Sequence, residues 1–300
     1  MKKCLIVADL EGIYGVKDLS DTDSNKKYLM EQLQITCKCV FDFDENYKIH
    51  ICLIHDDGSL LAGADFCDNR ISYSGGFFSL LTDYLDFDFA IMIGFHSKAG
   101  GKGRFPHSFR NEISCIISDD REVGEVFLYS MLLKNKGIEV IFVSGEGNFE
   151  DEVLNCNAIV HEIVSMREYE YKLMQSLSRK IEQKSSYYNG SVSVFFFSTE
   201  LREYLTGKYS VKNAALIFES VEKFFECLIS LATDINDYYI LEKRENLLFV
   251  KKISSLKLKR KNLYELEPYL CKDVMKFTKS DREKVFNIIH KNYENIQMLQ

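Results

Sequence analysis

Four short runs of apolar residues, separated by helical patterns, dominate the first half of the chain. The runs are Cys4–Ala8, Ile49–Ile54, Phe89–Gly94 and Ile138–Ser144. They are rich in Ile, Val and Phe, and they largely lack the alternation of polar and apolar positions that is typical of a half-exposed strand. The pattern therefore predicts four strands that are buried on both faces.

Apolar residues at helical spacing lie between these runs, at Lys26–Phe41 and at Val123–Lys136, where Gly137 ends the second helix. Strands that alternate with helices indicate an α/β fold with a mainly parallel sheet and flanking helices. The same patterns predict two further strands, at Ile113–Ser118 and Ser191–Phe197, and two further helices, at Arg167–Gln183 and Phe218–Ala232.

The pattern and the charge balance both change near residue 237. Tyr238–Ile253 suits a hairpin and Ser280–Ile296 suits a closing helix, so we expect a small C-terminal α+β extension. From residue 241 to residue 300 there are 14 Lys and Arg against 8 Asp and Glu, although the whole chain has a net charge of -7. We therefore predict an α/β region over residues 1–237 and a basic extension of unknown role over 238–300.

Composition narrows the classes of protein to consider. The net charge of -7 gives no reason to expect nucleic-acid binding. Nine cysteines occur without a CxxC pair, which favours reduced thiols in a cytosol over a disulfide framework. No apolar run approaches the roughly 20 residues of a membrane span, and the run before Asp9 is too short for a signal peptide. We therefore expect a cytoplasmic protein with no nucleic-acid or membrane partner.

Carboxylate and imidazole side chains follow the predicted strands where these strands end. The segment "ADLEGIYG" places Asp9 and Glu11 directly after the first strand, and side chains two positions apart on an extended strand point to the same side. The second run leads to His55, the third to His96 and the fourth to Glu146. Because ligands bind at the carboxyl ends of strands in open α/β sheets, we expect these groups to gather at one edge.

Two neighbouring carboxylates raise each other's pKa unless a cation neutralises them. Together with Glu125 at the head of a predicted helix, carboxylate and imidazole groups without cysteine suit zinc, manganese or cobalt. The alternative is that Asp9 caps a turn and Glu11 is solvated. His107 follows Pro106 in "RFPHSF", where it is either a site residue or a mobile surface histidine.

Four segments occur in this order along the chain: "ADLEGIYGV", "GFHSKAGGKGRFPHS", "VGEVFLYS" and "VIFVSGEGNFEDE". Together they resemble a known enzyme family, the DppA-type zinc D-aminopeptidases, or M55 peptidases. The spacing agrees as well, with 11 residues from His96 to His107 and 18 from there to Glu125. The resemblance covers roughly residues 1–237, and the residues from 238 onward have no counterpart.

The resemblance implies two Zn²⁺ ions at the edge of the sheet. Asp9 would bridge them, Glu11, His96 and Glu125 would be the other ligands, and His107 matches the catalytic histidine of the family. One ion, or Mn²⁺ or Co²⁺ in place of zinc, is left open. Family members release N-terminal D-residues from short peptides and assemble into rings of identical subunits. A short peptide or amino-acid amide substrate and a homo-oligomer, with a ring as one form, are therefore expected.

The chain departs from the family at one position. The family's second strand ends in an Asn-Asp-x-His-Gly-like sequence whose His binds metal, whereas Gly58 stands there in "HDDGS". His55 or Asp57 could supply a substitute ligand, although a shift of one to three residues at a strand end changes the direction of a side chain. Without a substitute, the site would hold a single ion or would have lost activity.

Three hypotheses for function follow. The leading hypothesis is a metal-dependent hydrolase, an aminopeptidase or amidase that releases an N-terminal amino acid, with a D-residue expected from the family. The alternatives are an inactive relative that serves as a binding or scaffold protein, and an amide-processing enzyme of a biosynthetic pathway.

Overall fold

The structure of the chain, a computed structural model, describes residues 2–55, 58–64, 66–75, 86–149, 152, 158–160, 163–179, 187–228 and 230–236. Along the chain the described elements are β1 (Lys3–Ala8), α1 (Thr22–Phe43), β2 (Lys48–Leu53), a 3-10 turn (Ser59–Leu61), β3 (Ile71–Gly75), β4 (Phe89–Phe95), β5 (Ile113–Ser118), β6 (Arg121–Val123), α2 (Glu125–Asn135), β7 (Glu139–Gly145), β8 (Ala158–Val160), α3 (Met166–Leu177), β9 (Val192–Phe196), α4 (Thr199–Thr206), β10 (Val211–Lys212), β11 (Ala215–Phe218) and α5 (221–228 and 230–236).

The first sheet confirms the predicted parallel α/β fold. Six of the described strands form it in the order β3-β2-β1-β4-β7-β8, and every neighbouring pair is parallel. Strands β1 and β4 are buried along nearly their whole length, as the continuous apolar runs predicted. The order reverses at β1, which lies between β2 and β4, so the ends of β1 and β4 form the topological switch point where ligands bind.

Helix α1 packs one face against this sheet. The side chain of Asp21 accepts a hydrogen bond from the Ser24 N–H at 3.2 Å and caps the helix at its N-terminus. Leu29, Leu33 and Val40 recur at helical spacing and are fully buried in the core. The phenol of Tyr169 on α3 meets the hydroxyl of Thr36 on α1 at 2.6 Å, which pairs the two helices through a buried polar contact.

A second sheet, which the sequence analysis did not predict, is antiparallel. Its five described strands follow the order β10-β11-β9-β5-β6. The predicted strand Ile113–Ser118 is present with those bounds, but it belongs to this second sheet. Asp119 and Asp120 both have positive φ, at 47° and 60°, so they form the tight turn between β5 and β6. That hairpin returns the chain to the start of α2.

Two predicted helix boundaries were wrong, and the cause is the same in each case. Val123 is the last residue of β6, so α2 begins at Glu125. Phe218 is likewise the last residue of β11, and α5 begins at residue 221. Apolar residues that end a strand directly before a helix fit the helical spacing by chance, which extends the predicted helix backwards.

The chain divides into two compact units, Met1–Cys227 and Leu228–Gln300. The described residues of the second unit, 228 and 230–236, are helical. The predicted hairpin Tyr238–Ile253, the predicted helix Ser280–Ile296 and the end of the predicted helix Arg167–Gln183 lie outside the described residues. The predicted domain division at residue 237 stays a prediction. Among the described helices, none is long and apolar enough to cross a membrane.

Two glycines bring the segment after β1 against β4. The Asp9 N–H donates to the carbonyl of Ile93 at 2.9 Å, and the Gly12 N–H donates to the carbonyl of Gly94 at 2.8 Å. A Cβ at Gly12 would collide with the carbonyl oxygen of Phe95, and one at Gly94, whose φ is +76°, would collide with the carbonyl oxygen of Asp9. This close approach fixes Asp9 beside the end of β4.

Candidate metal centre

The two acids after β1 face one point, although the extended conformation expected for them is absent. The chain bends and turns at Leu10 and Glu11. The Leu10 N–H donates to Asp9 Oδ1 at 2.9 Å and lies 3.3 Å from Glu11 Oε2. Asp9 and Glu11 are only 3% and 4% exposed. One backbone donor therefore orients both buried carboxylates.

His96 follows β4 and faces these acids. Its Nδ1–H donates to the carbonyl of Ser97 at 3.0 Å, which leaves Nε2 to face the site. Nε2 lies 3.4 Å from Asp9 Oδ2 and 3.4 Å from Glu125 Oε1. Burial alone would lower the pKa of His96, but Glu125 and Asp9 outweigh it and raise this pKa to about 10. His96 is therefore held among the carboxylates by charge.

Glu125 is the first residue of α2 and is 6% exposed. The backbone N–H of Phe109 donates to its Oε1 at 2.6 Å. Burial alone would raise the pKa of Glu125, but His96, His107 and the Phe109 N–H outweigh it and lower this pKa. Glu125 is therefore an anion within reach of His96.

His55, one of the two substitute ligands expected for Gly58, lies beside Asp9 and Glu11. Its Nδ1 lies 3.1 Å from Glu11 Oε2 and 3.6 Å from Asp9 Oδ1. Burial opposes its charge, yet the two carboxylates raise the pKa of His55 to about 11. Gly58 itself has a φ of +75° and precedes the 3-10 turn Ser59–Leu61. Asp57, the other expected substitute, lies outside the described residues.

His107 stands over the same centre. Its Nδ1–H donates to the carbonyl of Phe105 at 3.0 Å, so its Nε2 faces inward. This Nε2 lies 3.9 Å from Glu11 Oε1 and 3.9 Å from Glu125 Oε1. Its side chain is 23% exposed, which is more than that of any of the four predicted ligands. His107 is therefore close enough to act at the centre and open enough to meet a substrate.

The ligand atoms of the described residues form three overlapping groups, two of which share Asp9. Asp9, His96 and Glu125 form one group, and Asp9, Glu11 and His55 form the other. In each group the ligand atoms lie within 4.8 Å of one another. Glu11, His96 and His107 form a third group by the same measure. The first two groups therefore meet at Asp9, and each has the residue types and spacing that could hold a metal ion.

The donor set fits zinc. Buried oxygen and imidazole nitrogen donors without thiolate are suited to Zn²⁺, Mn²⁺ or Co²⁺. His96 Nε2 has no hydrogen-bond partner among the described residues, although it is fully buried. Buried polar nitrogens normally have a partner, and a metal ion on Nε2 would supply one.

Two further carboxylates bind backbone groups next to site residues and belong to none of the ligand groups found among the described residues. Glu146, which the sequence placed at the same edge, accepts hydrogen bonds from the backbone N–H groups of Arg104 at 2.7 and 2.8 Å and of Phe105 at 3.1 Å. Glu152 accepts one from the Gly124 N–H at 2.8 Å, and burial raises the pKa of Glu152 to about 7. Sequence reasoning missed both roles because their partners are backbone groups of distant loops.

A cavity of about 610 Å³ adjoins the centre. Glu11, His55 and His107 line one side of it, and Phe105 and Phe109 contribute apolar surface. This volume lies in the range of small-molecule sites.

Comparison with known proteins gives two matches. A model of the M55 peptidase family, described as D-aminopeptidase, matches residues 1–186. The fold is similar to that of the zinc-dependent D-aminopeptidase DppA from Bacillus subtilis, described as a self-compartmentalizing protease, with a TM-score of 0.63 and 15% identity. The likeness covers 78% of this chain and 97% of that one. No curated protein matches the chain.

Proposed function

The chain belongs to the M55 family of D-aminopeptidases, and from that premise we propose that it binds two Zn²⁺ ions and releases N-terminal amino acids from short peptides or amides. The family match confirms the predicted class, a metal-dependent aminopeptidase. The number of ions, the metal, the role of each residue and the D-configuration of the released residue belong to the proposal.

The observation that supports two ions best is the position of Asp9. One of its carboxylate oxygens, Oδ2, lies 3.4 Å from His96 Nε2, and the other, Oδ1, lies 3.6 Å from His55 Nδ1. Each oxygen therefore belongs to a different ligand group. A carboxylate that faces two groups in this way is suited to bridge two ions, with Glu125 completing one group and Glu11 the other.

The chemistry is divided between the ions and His107. Zinc ions, when bound, supply Lewis acidity that polarises a carbonyl group and makes water acidic enough to attack near neutral pH. His107 Nδ1–H is engaged with the Phe105 carbonyl, so Nε2 is the atom that exchanges a proton with the substrate. At that place it would protonate the leaving amine or donate a hydrogen bond to the developing oxyanion.

The cavity beside the centre would receive the substrate. Phe105 and Phe109 would exclude water from one side of the scissile bond. Farther along the wall, Arg110 Nε donates to Glu112 Oε2 at 3.0 Å, so an ion pair of half-buried side chains lines the same space. A cavity with both apolar and charged walls is suited to a small zwitterionic peptide.

The proposal also includes a homo-oligomer, with a ring as one form, and a cytoplasmic location. The description of the related DppA as self-compartmentalizing supports assembly. The nine cysteines without a CxxC pair support a reducing compartment.

The alternative of an inactive scaffold loses one of its two grounds and keeps the other. It was based on the missing imidazole at Gly58 and on the basic segment 238–300. His55 supplies an imidazole to the same ligand group, and the basic segment lies outside the described residues.

Metal content and hydrolysis, measured on the same preparation, test the proposed function. Protein purified without chelator is analysed for metal and assayed on D-alanyl and L-alanyl dipeptides and amides. We expect about two zinc ions per chain and release of the N-terminal residue, with both lost in His96→Ala. His50→Ala is the matched control, because His50 lies on β2 and contacts Ser72 and Ser74 outside the centre. A protein free of metal, and inactive after zinc or manganese is added, would contradict the proposal.

A further inference from the structure

Phe109 contributes a backbone donor to a buried metal ligand from a conformation that its residue type rarely adopts. Its N–H lies 2.6 Å from Glu125 Oε1, and its φ is +57°. We propose that Phe109 is a positioning residue for Glu125, and that aromatic rings of α2 and α5 hold it in place. The inference rests on the proposed metal centre, but it concerns a residue outside the ligand set.

The backbone around Phe109 forms a very tight turn. The Arg110 N–H donates to the carbonyl of Ser108 at 2.6 Å, two residues back, which is the pattern of a γ-turn. A positive φ at a bulky aromatic residue is strained and persists only where the surroundings impose it. The turn directs the Phe109 N–H inward, so the turn and the hydrogen bond to Glu125 exist together.

The ring of Phe109 packs against three buried aromatic rings. Its centroid lies 5.7 Å from Tyr129 on α2, and 5.2 and 5.8 Å from Phe224 and Phe225 on α5. These three partners are at most 2% exposed. Their edge-to-face and tilted contacts are typical of stable aromatic packing. Packing against these three rings therefore stabilises the Phe109 backbone in its unusual conformation.

The consequence for the metal is local. Glu125 Oε1 faces both His96 Nε2 at 3.4 Å and the Phe109 N–H at 2.6 Å. The N–H fixes the rotation of the carboxylate, and therefore which oxygen faces the imidazole. Outer partners of this kind change metal affinity by about 10–100-fold when they are lost. Among the groups formed by described residues, only that of Asp9, His96 and Glu125 contains this ligand, so only one of two ions should be affected.

Helix α5 thereby acquires a role that the family match does not include. The family model covers residues 1–186, whereas Phe224 and Phe225 lie beyond it. Loss of the Phe225 ring should weaken the same ion as loss of the Phe109 ring, although Phe225 is not within the ligand groups. Weaker binding of that ion after loss of the Phe225 ring would show that Phe109 acts by positioning Glu125, and not by direct contact of its ring with metal or substrate.

Zinc titrations of the full chain against a chromophoric chelator test the inference, with the visible spectrum of the Co²⁺ form as a second readout. We expect Phe109→Ala and Phe225→Ala each to weaken one of two binding steps by about 10–100-fold and to shift the Co²⁺ bands. Phe109→Leu and Phe225→Leu should restore most of the affinity, and the double Ala variant should resemble Phe109→Ala alone. The Leu variants also provide the measurement if an Ala variant does not fold.

Phe142→Ala is the matched control. Phe142 is fully buried and pairs with Tyr169 at 5.5 Å, away from the ligand groups. It should lower the stability of the fold without changing either zinc affinity or the Co²⁺ spectrum. Wild-type affinity and spectrum in Phe109→Ala, or equal weakening in Phe142→Ala, would overturn the inference while leaving the proposed function intact. A wild-type chain that binds no metal would instead overturn the proposed function.

Discussion

The imidazole ring of His107 lies parallel to that of His96, with 4.1 Å between the ring centres and 9° between the planes. His96 is buried and faces Asp9 and Glu125, whereas His107 is open to the cavity. The stack therefore places a histidine that can meet a substrate directly over a histidine that can bind metal. It also restrains the rotation of His107, because a rotated ring would lose the contact.

Replacement of His107 by Gln should separate catalysis from metal binding. If His107 transfers a proton, kcat should fall by about 10²–10⁴-fold while the zinc content stays unchanged. Metal analysis and steady-state kinetics on one preparation give both numbers. Loss of an ion would instead make His107 a ligand, as the group formed by Glu11, His96 and His107 allows.

Replacement of His55 by Gln should remove one ion and leave the other. His55 shares a ligand group with Asp9 and Glu11, whereas the group of Asp9, His96 and Glu125 does not contain it. We expect the zinc content to fall from about two to about one per chain, with most of the hydrolytic activity lost. His50→Gln should keep both ions, since its ring contacts Ser72 and Ser74. Two tightly bound ions in His55→Gln would show that Asp57 or another group is the ligand.

The sequence predicted the parallel sheet and most of the candidate site for a simple physical reason. Apolar runs buried on both faces identify parallel strands, and ligands lie where such strands end. Asp9 and His96 follow β1 and β4, the two strands at the switch point. The sequence alone does not decide whether His55 faces the site, because a shift of one residue at a strand end reverses the direction of a side chain. In the structure its Nδ1 faces Glu11.

The features of the site that the sequence did not predict depend on contacts between loops that are far apart in sequence. Phe109 and Glu146 act through backbone N–H groups, and no residue pattern reports which amide a carboxylate will meet. Two strands of the antiparallel sheet, β10 and β6, were not predicted because they have only two and three residues. Strands this short carry too few positions for any periodicity to be recognised.

Replacement of Glu146 by Gln should disturb the loop that carries His107. Glu146 accepts hydrogen bonds from the backbone N–H groups of Arg104 and Phe105, and an amide NH₂ turned toward these donors would oppose them. Because misplacing a catalytic group by about 1 Å can lower the rate on the order of 10²-fold, kcat should fall by up to that factor. Zinc content should not change.

Glu31→Gln is the control for this prediction, because Glu31 is exposed on α1. The measurement is kcat of both variants and of the wild type, with zinc at a saturating concentration. If Glu146→Gln kept full kcat, the loop would not need this anchor. If it lost an ion, Glu146 would belong to the metal centre after all.

The stability of the metal-free protein should fall as the pH rises toward 10 and 11. The pKa of His55 is raised to about 11 and that of His96 to about 10, from an ordinary value of 6.5. A raised pKa means that the folded state binds a proton that the unfolded state has released. The stabilisation that each histidine gains from its neighbouring carboxylates is therefore complete below pH 6.5, and it is lost as the pH rises through the raised pKa of that histidine. Each histidine contributes a slope of at most about 1.4 kcal/mol per pH unit.

Denaturant unfolding of the chelator-treated protein between pH 6.5 and pH 10 measures this slope, with His55→Gln and His50→Gln in parallel. His55→Gln should show a shallower decline than the wild type. His50→Gln should not, because burial lowers rather than raises the pKa of His50. With zinc bound the sign should reverse, since ligand histidines must be deprotonated and zinc affinity rises with pH. If the unfolding free energies of metal-free wild type and His55→Gln fell with the same slope against pH, the folded protein would not hold a protonated His55 between the carboxylates. The charge balance inferred for the metal-free centre would then be wrong.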